Sequence, residues 1–202
     1  YLPIDPSDLG RQYEPIVRIN SQSGKGGVAY VMESMYGYHL PKGLQVNFAK
    51  VIQDISEEEG EVSPERVYDT FIEQYVDIKE PYEFIKQKLI DISEDDSEFE
   101  RKAEITLKDH GEVRTIVGYG NGAIDAVKDA FNENGFVYTH FLDYSEHSLS
   151  SGSSSKAAAY VYLRVKGSAV QEYGVGVHPN ITTATIKAII SAMNRIHKQL
   201  KK

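Results

Sequence analysis

The fold of this chain is decided by a short stretch, residues 118–126, which reads GYGNGAIDA. An apolar run leads into its Gly-x-Gly turn, and a run with the spacing of an amphipathic helix leads out. The same arrangement returns at residues 174–181, which read GVGVHPNI. The repetition indicates that this half of the chain is internally duplicated.

A glycine-rich turn between a strand and a helix favours a ligand. Glycine can adopt positive φ and lets another group approach the backbone closely. The first turn of the helix that follows has unpaired N–H groups and a partial positive charge, which suit an anion. The alternative is that these glycines serve only local packing. Two related copies favour a shared site.

Composition limits the classes of function. The chain has 202 residues, of which 41% are hydrophobic and 26% charged, so one or two soluble domains are expected. Its net charge of -8 disfavours binding to nucleic acid, and no run is apolar enough to span a membrane. The absence of cysteine excludes disulfides and thiol catalysis and fits the cytoplasm. The start at Tyr1, without methionine, suggests a piece of a longer protein.

The first 80 residues predict a linker arm and a small helical subdomain. Residues 20–27 read NSQSGKGG, but Ile19 stands where a phosphate-binding loop needs its first glycine, and Gly26 where Ser or Thr would hold magnesium. We therefore interpret this run as a polar loop that caps a helix. Apolar side chains at spacings of three and four predict a second helix over 42–58, and Ser63 and Pro64 predict the start of a third.

Residues 81–202 predict a second domain made of two βββα units with internal pseudo-symmetry, so that the fold class is α+β. The first unit comprises strands 84–92, 103–108 and 113–117 and helix 122–134. The second comprises strands 136–145, 156–166 and 169–177 and helix 181–199. A serine-rich loop at 148–155 is either a bare linker or a lid near a ligand. Since each sheet has one face covered by helices, we expect a two-fold partner to cover the other face, giving a homodimer.

Several motifs together resemble one enzyme family. They are LPIDP at 2–6, RINSQSGKGGVAY at 18–30, GNG at 120–122, GVG at 174–176, ITTA at 181–184 and SAMNR at 191–195. In this order and spacing they resemble the C-terminal part of the 2-isopropylmalate synthases, over essentially the whole chain. The run at 20–27 favours the long form of the family over shorter relatives.

The resemblance implies a parent enzyme that condenses acetyl-CoA with 3-methyl-2-oxobutanoate and water to 2-isopropylmalate, the first committed step of leucine biosynthesis. In the family, a divalent metal (Mg, Mn or Zn) lies in an N-terminal TIM barrel and is bound partly by a His-x-His pair. The six histidines here contain no such pair, and a barrel of roughly 250 residues would not fit. We expect this chain to hold no cofactor and to be inactive alone.

By the same resemblance, residues 1–80 are the accessory subdomain that packs by the active site of the partner subunit. Tyr13 resembles a tyrosine linked to active-site closure and to the transmission of leucine inhibition, although it could equally be an ordinary linker aromatic. Residues 81–202 resemble the regulatory domain that binds leucine as feedback inhibitor and forms the dimer. The expected partners are leucine, a second copy and the parent catalytic barrel.

The resemblance also implies the leucine site. Its residues come from the first turn, the fourth strand, the far side of the serine-rich loop and the second helix: Gly120, Asn121, Gly122, Ile124, Asp125, Phe141, Tyr144, Ser148, Ser155, Ala157 and Ile181. We expect the two helix starts to bind the carboxylate and Asp125 or nearby carbonyls the ammonium. Ile124, Phe141, Ala157 and Ile181 would enclose the isobutyl group. Gly120→Asp is expected to abolish binding by filling the ligand space and competing for the helix start.

Two other functions stay open. Phe141, Ser148, Ser155 and Asp125 depart from the small or apolar residues that the long-form pattern can carry, so another branched-chain amino acid could be the effector. The chain could be the equivalent module of a citramalate synthase, with isoleucine as effector, although the run at 20–30 argues against it. It could also be a stand-alone amino-acid-sensing domain.

Overall fold

The computed structural model describes residues 19–20, 23–92, 100–136, 140–149 and 155–201. Tyr13, the rest of the N-terminal arm and residues 150–154 of the serine-rich loop lie outside the described residues. Three helices come first: α1 Gly24–Tyr36, α2 Lys42–Glu59 and α3 Pro64–Tyr75. The first βββα unit follows as β1 Tyr82–Asp91, β2 Arg101–Asp109, β3 Glu112–Gly120 and α4 Ala123–Glu133. The second is β4 His140–Ser148, β5 Ala157–Arg164, β6 Gln171–His178 and α5 Ile181–Leu200.

The predicted duplication and the α+β fold class are confirmed. Strands β1, β2 and β3 form a first antiparallel sheet, and β4, β5 and β6 form a second with the same order. Even the irregularities repeat, because the register shifts between Phe84 and Lys86 in β1 and between Phe141 and Asp143 in β4. Each bulge lies near the start of its unit's first strand. The two units therefore share both topology and local detail.

The prediction for the fourth strand was wrong at both ends. Strand β4 begins at His140 instead of 136 and continues to Ser148. Helix α4 is followed by Gly135 at φ 85°, and the Phe136 N–H then donates to the Phe131 carbonyl at 3.3 Å. This left-handed turn folds the Phe136 ring back into the core, where it is buried. The apolar Phe136 therefore belongs to the turn that ends α4 and not to strand β4.

The predicted capping signals of the first three helices act only in part. Residues 24–27 of the run interpreted as a capping loop already belong to α1, and Ser23 before them makes no side-chain cap bond, so that prediction was wrong. The Ser63 hydroxyl accepts from the Arg66 N–H at 3.2 Å, with Pro64 at the first helical position. Helix α1 ends at Gly37, whose φ of 73° allows its N–H to donate to the Glu33 carbonyl at 3.1 Å. We call α1, α2 and α3 together the helical unit.

Both sheets and both of their helices share one hydrophobic cluster, which we call the first cluster. Helix α4 packs on β2 and β3, while α5 packs on β5, β6 and also on β1 of the other unit. Buried side chains from every one of these layers meet, including Ile105, Phe131, Val161, Ile189 and Met193. Helix α5 therefore joins the two units through their common core.

The outer face of the second sheet is covered by the chain itself. Ala158, Tyr160, Tyr173 and Val175 pack with the helical unit in a second cluster that includes Phe71. The expectation that a partner must cover this face was wrong, because the helical unit already occupies it. The first sheet differs, since Ile85 and Val113 on its outer face are 41% and 64% exposed.

Residues 76–81, the connector, run from the helical unit to β1 along helix α5. The buried Asn194 side chain donates to the carbonyls of Ile78 and Tyr82 at 2.6 and 2.7 Å and accepts from the Tyr82 N–H at 2.9 Å. One turn earlier, the Ser191 hydroxyl donates to the Tyr75 carbonyl at 2.7 Å. These side chains bind backbone groups at the end of α3, in the connector and at the start of β1, and they fix where the helical unit sits.

We predict that Asn194→Ala lowers the free energy of unfolding by about 3 kcal/mol, because three backbone groups in or near the core lose the Asn194 side chain as a hydrogen-bond partner. Urea denaturation followed by circular dichroism measures this. Lys198→Ala, an exposed change one turn further along the same helix, is the control and should stay within about 0.5 kcal/mol of the wild type. An Asn194→Ala value equal to that of the control would contradict the role of Asn194.

Candidate functional site

The repeated Gly-x-Gly motif lies in strands and not in turns. Gly118 and Gly120 are in β3, and Gly174 and Gly176 occupy the same places in β6. The prediction that this motif forms a turn was therefore wrong, and none of the four glycines has positive φ. Alternate residues of a strand face one side of the sheet, so each pair forms a strip without side chains.

The glycine strips let the helices approach the sheets. A Cβ atom at Gly120 would lie 2.5 Å from the Ala126 nitrogen of α4, and one at Gly118 would lie 2.1 Å from the Ala130 nitrogen. Gly174 and Gly176 face α5 in the same way: a Cβ atom at these positions would lie 2.2 and 2.0 Å from backbone atoms of α5. The packing interpretation of these glycines is confirmed, because the close approach is made by a helix backbone.

The two helix starts are chemically different. Asn180 caps α5, and its side chain accepts from the Thr183 N–H at 2.9 Å. Gly122 caps α4 with no side chain, so the first-turn amides there have no side-chain acceptor. The space in front of Gly122 is open, with the Asp125 carboxylate 4.0 Å from a Cβ at that position. Of the two starts, that of α4 is the one free to receive a carboxylate.

Strand β4 contributes two of the predicted residues to the first cluster. Phe141 and Tyr144 are partly buried and pack against the first cluster, as does Ile181 of α5. The Lys128 ammonium of α4 lies 5.1 Å from the centre of the Phe141 ring, which brings β4 close to α4. The Tyr144 hydroxyl lies 3.0 Å from that of Thr185 in α5. Burial, with a smaller contribution from a hydrogen bond to Glu146, raises the pKa of Tyr144 to about 12.

The remaining predicted residues form two further groups. Ser148 pairs with Ala157 across the β4–β5 ladder, next to Ser155. Gly120 contacts Asp125 at the start of α4, beside Asn121, Gly122 and Ile124. The side chains of Ile124, Ser155 and Ala157 are half-buried, and those of Asn121, Asp125 and Ser148 are exposed. The eleven residues thus lie in three groups around β4, α4 and α5.

Two residues near these groups were missed from the sequence. Thr185 bonds to Tyr144, and His147 lies next to Ser148 but on the opposite face of β4. Alternation along β4 predicts the face of His147, but only the packing shows that this face contacts the helical unit. A cleft of about 880 Å³ near the end of α5 was also missed; basic side chains including Lys108 and Lys201 line it, and none of the eleven predicted residues does.

The described residues contain no group of three His, Cys, Asp or Glu side chains placed to hold a metal ion. Within the same part of the chain, no helix is both long enough and apolar enough to cross a membrane.

Comparison with known proteins agrees with the resemblance. The family model of the LeuA allosteric (dimerisation) domain matches residues 61–197, and that of the alpha-isopropylmalate synthase post-catalytic domain matches residues 1–33. The 2-isopropylmalate synthase of Mycobacterium ulcerans (strain Agy99) is 47% identical over 96% of this chain and 34% of its own length. The enzyme of Thermobifida fusca (strain YX) is 46% identical over 96% of this chain and 33% of its own length. The enzyme of Clostridium acetobutylicum is 44% identical over 96% of this chain and 35% of its own length.

The chain spans about a third of the length of these relatives; its match covers 34% of the Mycobacterium ulcerans enzyme. The matched range of the first family model, residues 61–197, contains the last helix of the helical unit and both βββα units up to the final turns of α5. The chain therefore belongs to the LeuA allosteric (dimerisation) domain family.

Proposed function

We propose that this chain is the regulatory part of a cytoplasmic 2-isopropylmalate synthase and binds leucine as feedback inhibitor without being catalytic itself. The observation that carries the proposal is the match to the LeuA allosteric domain over residues 61–197. The relatives are named 2-isopropylmalate synthase, which supports leucine over isoleucine as effector.

The start of helix α4 would bind the leucine carboxylate. Its first-turn amides have no side-chain cap, and the helix dipole favours an anion there. Asp125 lies within the same turn, so its exposed carboxylate would bind the ammonium of the same ligand. A zwitterion matches this pairing of amides and carboxylate, whereas a simple anion would be repelled by Asp125.

The isobutyl group would lie toward β4 and α5. Phe141 and Ile181 present apolar surface at the edge of the first cluster, and Ile124 and Ala157 are half-buried. Tyr144, like an unperturbed tyrosine, is un-ionised at neutral pH and adds no charge to this surface; burial raises its pKa further, to about 12. Ser148 and Ser155 would form the polar rim.

For the whole protein we propose the family's reaction: acetyl-CoA condenses with 3-methyl-2-oxobutanoate and water to give 2-isopropylmalate. The divalent metal (Mg, Mn or Zn) would be bound by a catalytic barrel outside this chain. Tyr13 would act in closure of that site and in its inhibition.

Calorimetric titration of the chain with leucine, isoleucine and valine tests the effector. Leucine should bind more tightly than valine, by roughly 10- to 200-fold at most, since one methylene in an apolar pocket is worth about 1–3 kcal/mol. Equal affinities for the three amino acids would remove the basis for a leucine site.

We predict that Gly122→Asp abolishes leucine binding while leaving the chain folded. The backbone at Gly122 is extended, with φ -145° and ψ 169°, so any residue fits, and an aspartate there would cap α4 with its own carboxylate. Calorimetry measures binding, and thermal unfolding should show equal or higher stability. Gly122→Ala, which adds a methyl group but no acceptor, is the matched control and should still bind.

The sequence-based choice, Gly120→Asp, is a poorer test. Its Cβ would lie 2.5 Å from the α4 backbone, so loss of binding would be indistinguishable from displacement of the helix. If folded Gly122→Asp bound leucine with unchanged affinity, the leucine carboxylate would not bind at the start of α4.

A further prediction concerns catalysis. Mixed with acetyl-CoA, 3-methyl-2-oxobutanoate and a magnesium salt, the 202-residue chain should release no CoA above background, because we assign the reacting groups to another domain. A thiol-release assay measures this, with a full-length relative as positive control. Turnover by the chain alone would overturn the assignment.

We also predict that the chain forms a dimer through the outer face of its first sheet, which the helical unit does not cover. In an isologous interface each substitution appears twice, so Val113→Lys should place like charges near the two-fold axis and weaken association. Light scattering across micromolar concentrations measures the mass. Lys86→Arg, which keeps the charge of an exposed residue on the same sheet, should leave the dimer unchanged. A wild-type monomer at every concentration would contradict the prediction.

A further inference from the structure

The end of strand β4 is fastened to the helical unit by His147. Its Nε2 atom lies 3.1 Å from the backbone nitrogen of His39, in the segment between α1 and α2. The same Nε2 lies 2.8 Å from the hydroxyl of Tyr160 in β5, and Nδ1 lies 3.0 Å from the Ser148 carbonyl oxygen. One imidazole thus contacts three backbone or side-chain groups from different parts of the fold.

These contacts fix the proton of the imidazole. A carbonyl oxygen can only accept, so Nδ1 must carry the hydrogen and donate it to Ser148. The His39 amide can only donate, so Nε2 must be unprotonated and accept from it, and the Tyr160 hydroxyl donates to the same nitrogen. Only the neutral Nδ1–H tautomer satisfies all three contacts. A second proton on Nε2 would face the His39 N–H and break the link.

The surroundings of His147 favour this neutral form. Burial lowers its pKa below the usual value, and the His39 ring, 4.7 Å away between centroids, lowers it further. Glu33 of α1 pairs with His39 at 3.0 Å and is exposed. From β5, Tyr160 stacks on the His147 ring; it is un-ionised at neutral pH and below, and burial raises its pKa further. The link is therefore intact at neutral pH and weakens as the pH falls below the usual histidine range.

A second contact holds the same segment. A Cβ atom at Gly37 would lie 2.9 Å from the Leu149 carbonyl oxygen, so the turn after α1 packs directly on the residue that follows β4. The Leu149 N–H donates to the Lys156 carbonyl at 2.8 Å, which continues the β4–β5 pairing, and the Leu149 side chain packs on the second cluster. Residues 147–149 are therefore held by β5 on one side and by the helical unit on the other.

We propose that His147 is the positioning residue through which the state of the leucine site reaches the helical unit. Ser148, a predicted site residue, is its covalent neighbour and accepts its Nδ1 hydrogen, while His39 of the helical unit donates to its Nε2. A ligand that orders the end of β4 therefore also orders the segment between α1 and α2. The inference rests on the proposed leucine site and assigns its route of transmission.

Amide hydrogen exchange of residues 37–41, measured with and without saturating leucine, tests the proposal. In the wild type, leucine should slow exchange at His39 by roughly fivefold or more, the factor that corresponds to about one net hydrogen bond. His147→Phe keeps a stacked ring but has no acceptor, and it should bind leucine with comparable affinity yet lose the slowing. His147→Gln, which places an acceptor near the Nε2 position, should retain part of it.

The outcomes separate the two hypotheses. Absence of leucine binding to the wild type by calorimetry would refute the proposed function and this route with it. Leucine binding without slower exchange at His39, or equal slowing in folded His147→Phe, would refute the route alone. A nitrogen-15 spectrum of the wild-type imidazoles provides a test that needs no variant: we expect the hydrogen of His147 on Nδ1 and a pKa below the usual value, and the opposite tautomer would overturn the proposal.

Discussion

The close approach of two helices to two sheets is the constraint on which the structure depends. Helices α4 and α5 lie so near β3 and β6 that a Cβ on the facing glycines would come within 2.0 to 2.5 Å of helix backbone. At that spacing the alanines of α4 and α5 can pack on the strands, and both helices fit into one core with both sheets. Any side chain at these glycines would push a helix out of that core.

The second sheet carries the connection between the two parts of the chain. Its inner face belongs to the first cluster, and its outer face packs on the helical unit, so neighbouring residues of one strand contact different parts of the protein. In β5, Tyr160 packs in the second cluster with the helical unit, and Val161 packs in the first cluster. In β4, Tyr144 contacts Thr185 of α5 on one face, and His147 contacts Tyr160 on the other face.

The connector is bound by side chains of α5, whereas the strands are bound to one another by backbone hydrogen bonds. Ser191 and Asn194 of α5 bind backbone groups of Tyr75 and Ile78. The Arg195 guanidinium donates to the Gln74 carbonyl of α3 and lies 3.9 Å from the centre of the Tyr75 ring. Arg195 is also paired with Glu172 at 2.7 Å, with both side chains largely buried. These contacts are specific and in part buried, and they fix the position of the helical unit relative to the first cluster.

The sequence by itself determined the elements, their order, the duplication and the family, because apolar periodicity, caps and repeated motifs are local properties. It also indicated the residues of the site, which remain a prediction. The role of the Gly-x-Gly glycines came only from the structure, because the sequence shows that a helix follows each strand but not how closely that helix packs back on it. The tertiary structure likewise decided that the helical unit covers the second sheet, that α4 and not α5 has an uncapped start, and that His147 meets His39. Such contacts join residues that are far apart in the chain, 108 positions in the case of His39 and His147, and no local pattern encodes which of many apolar or polar faces will meet.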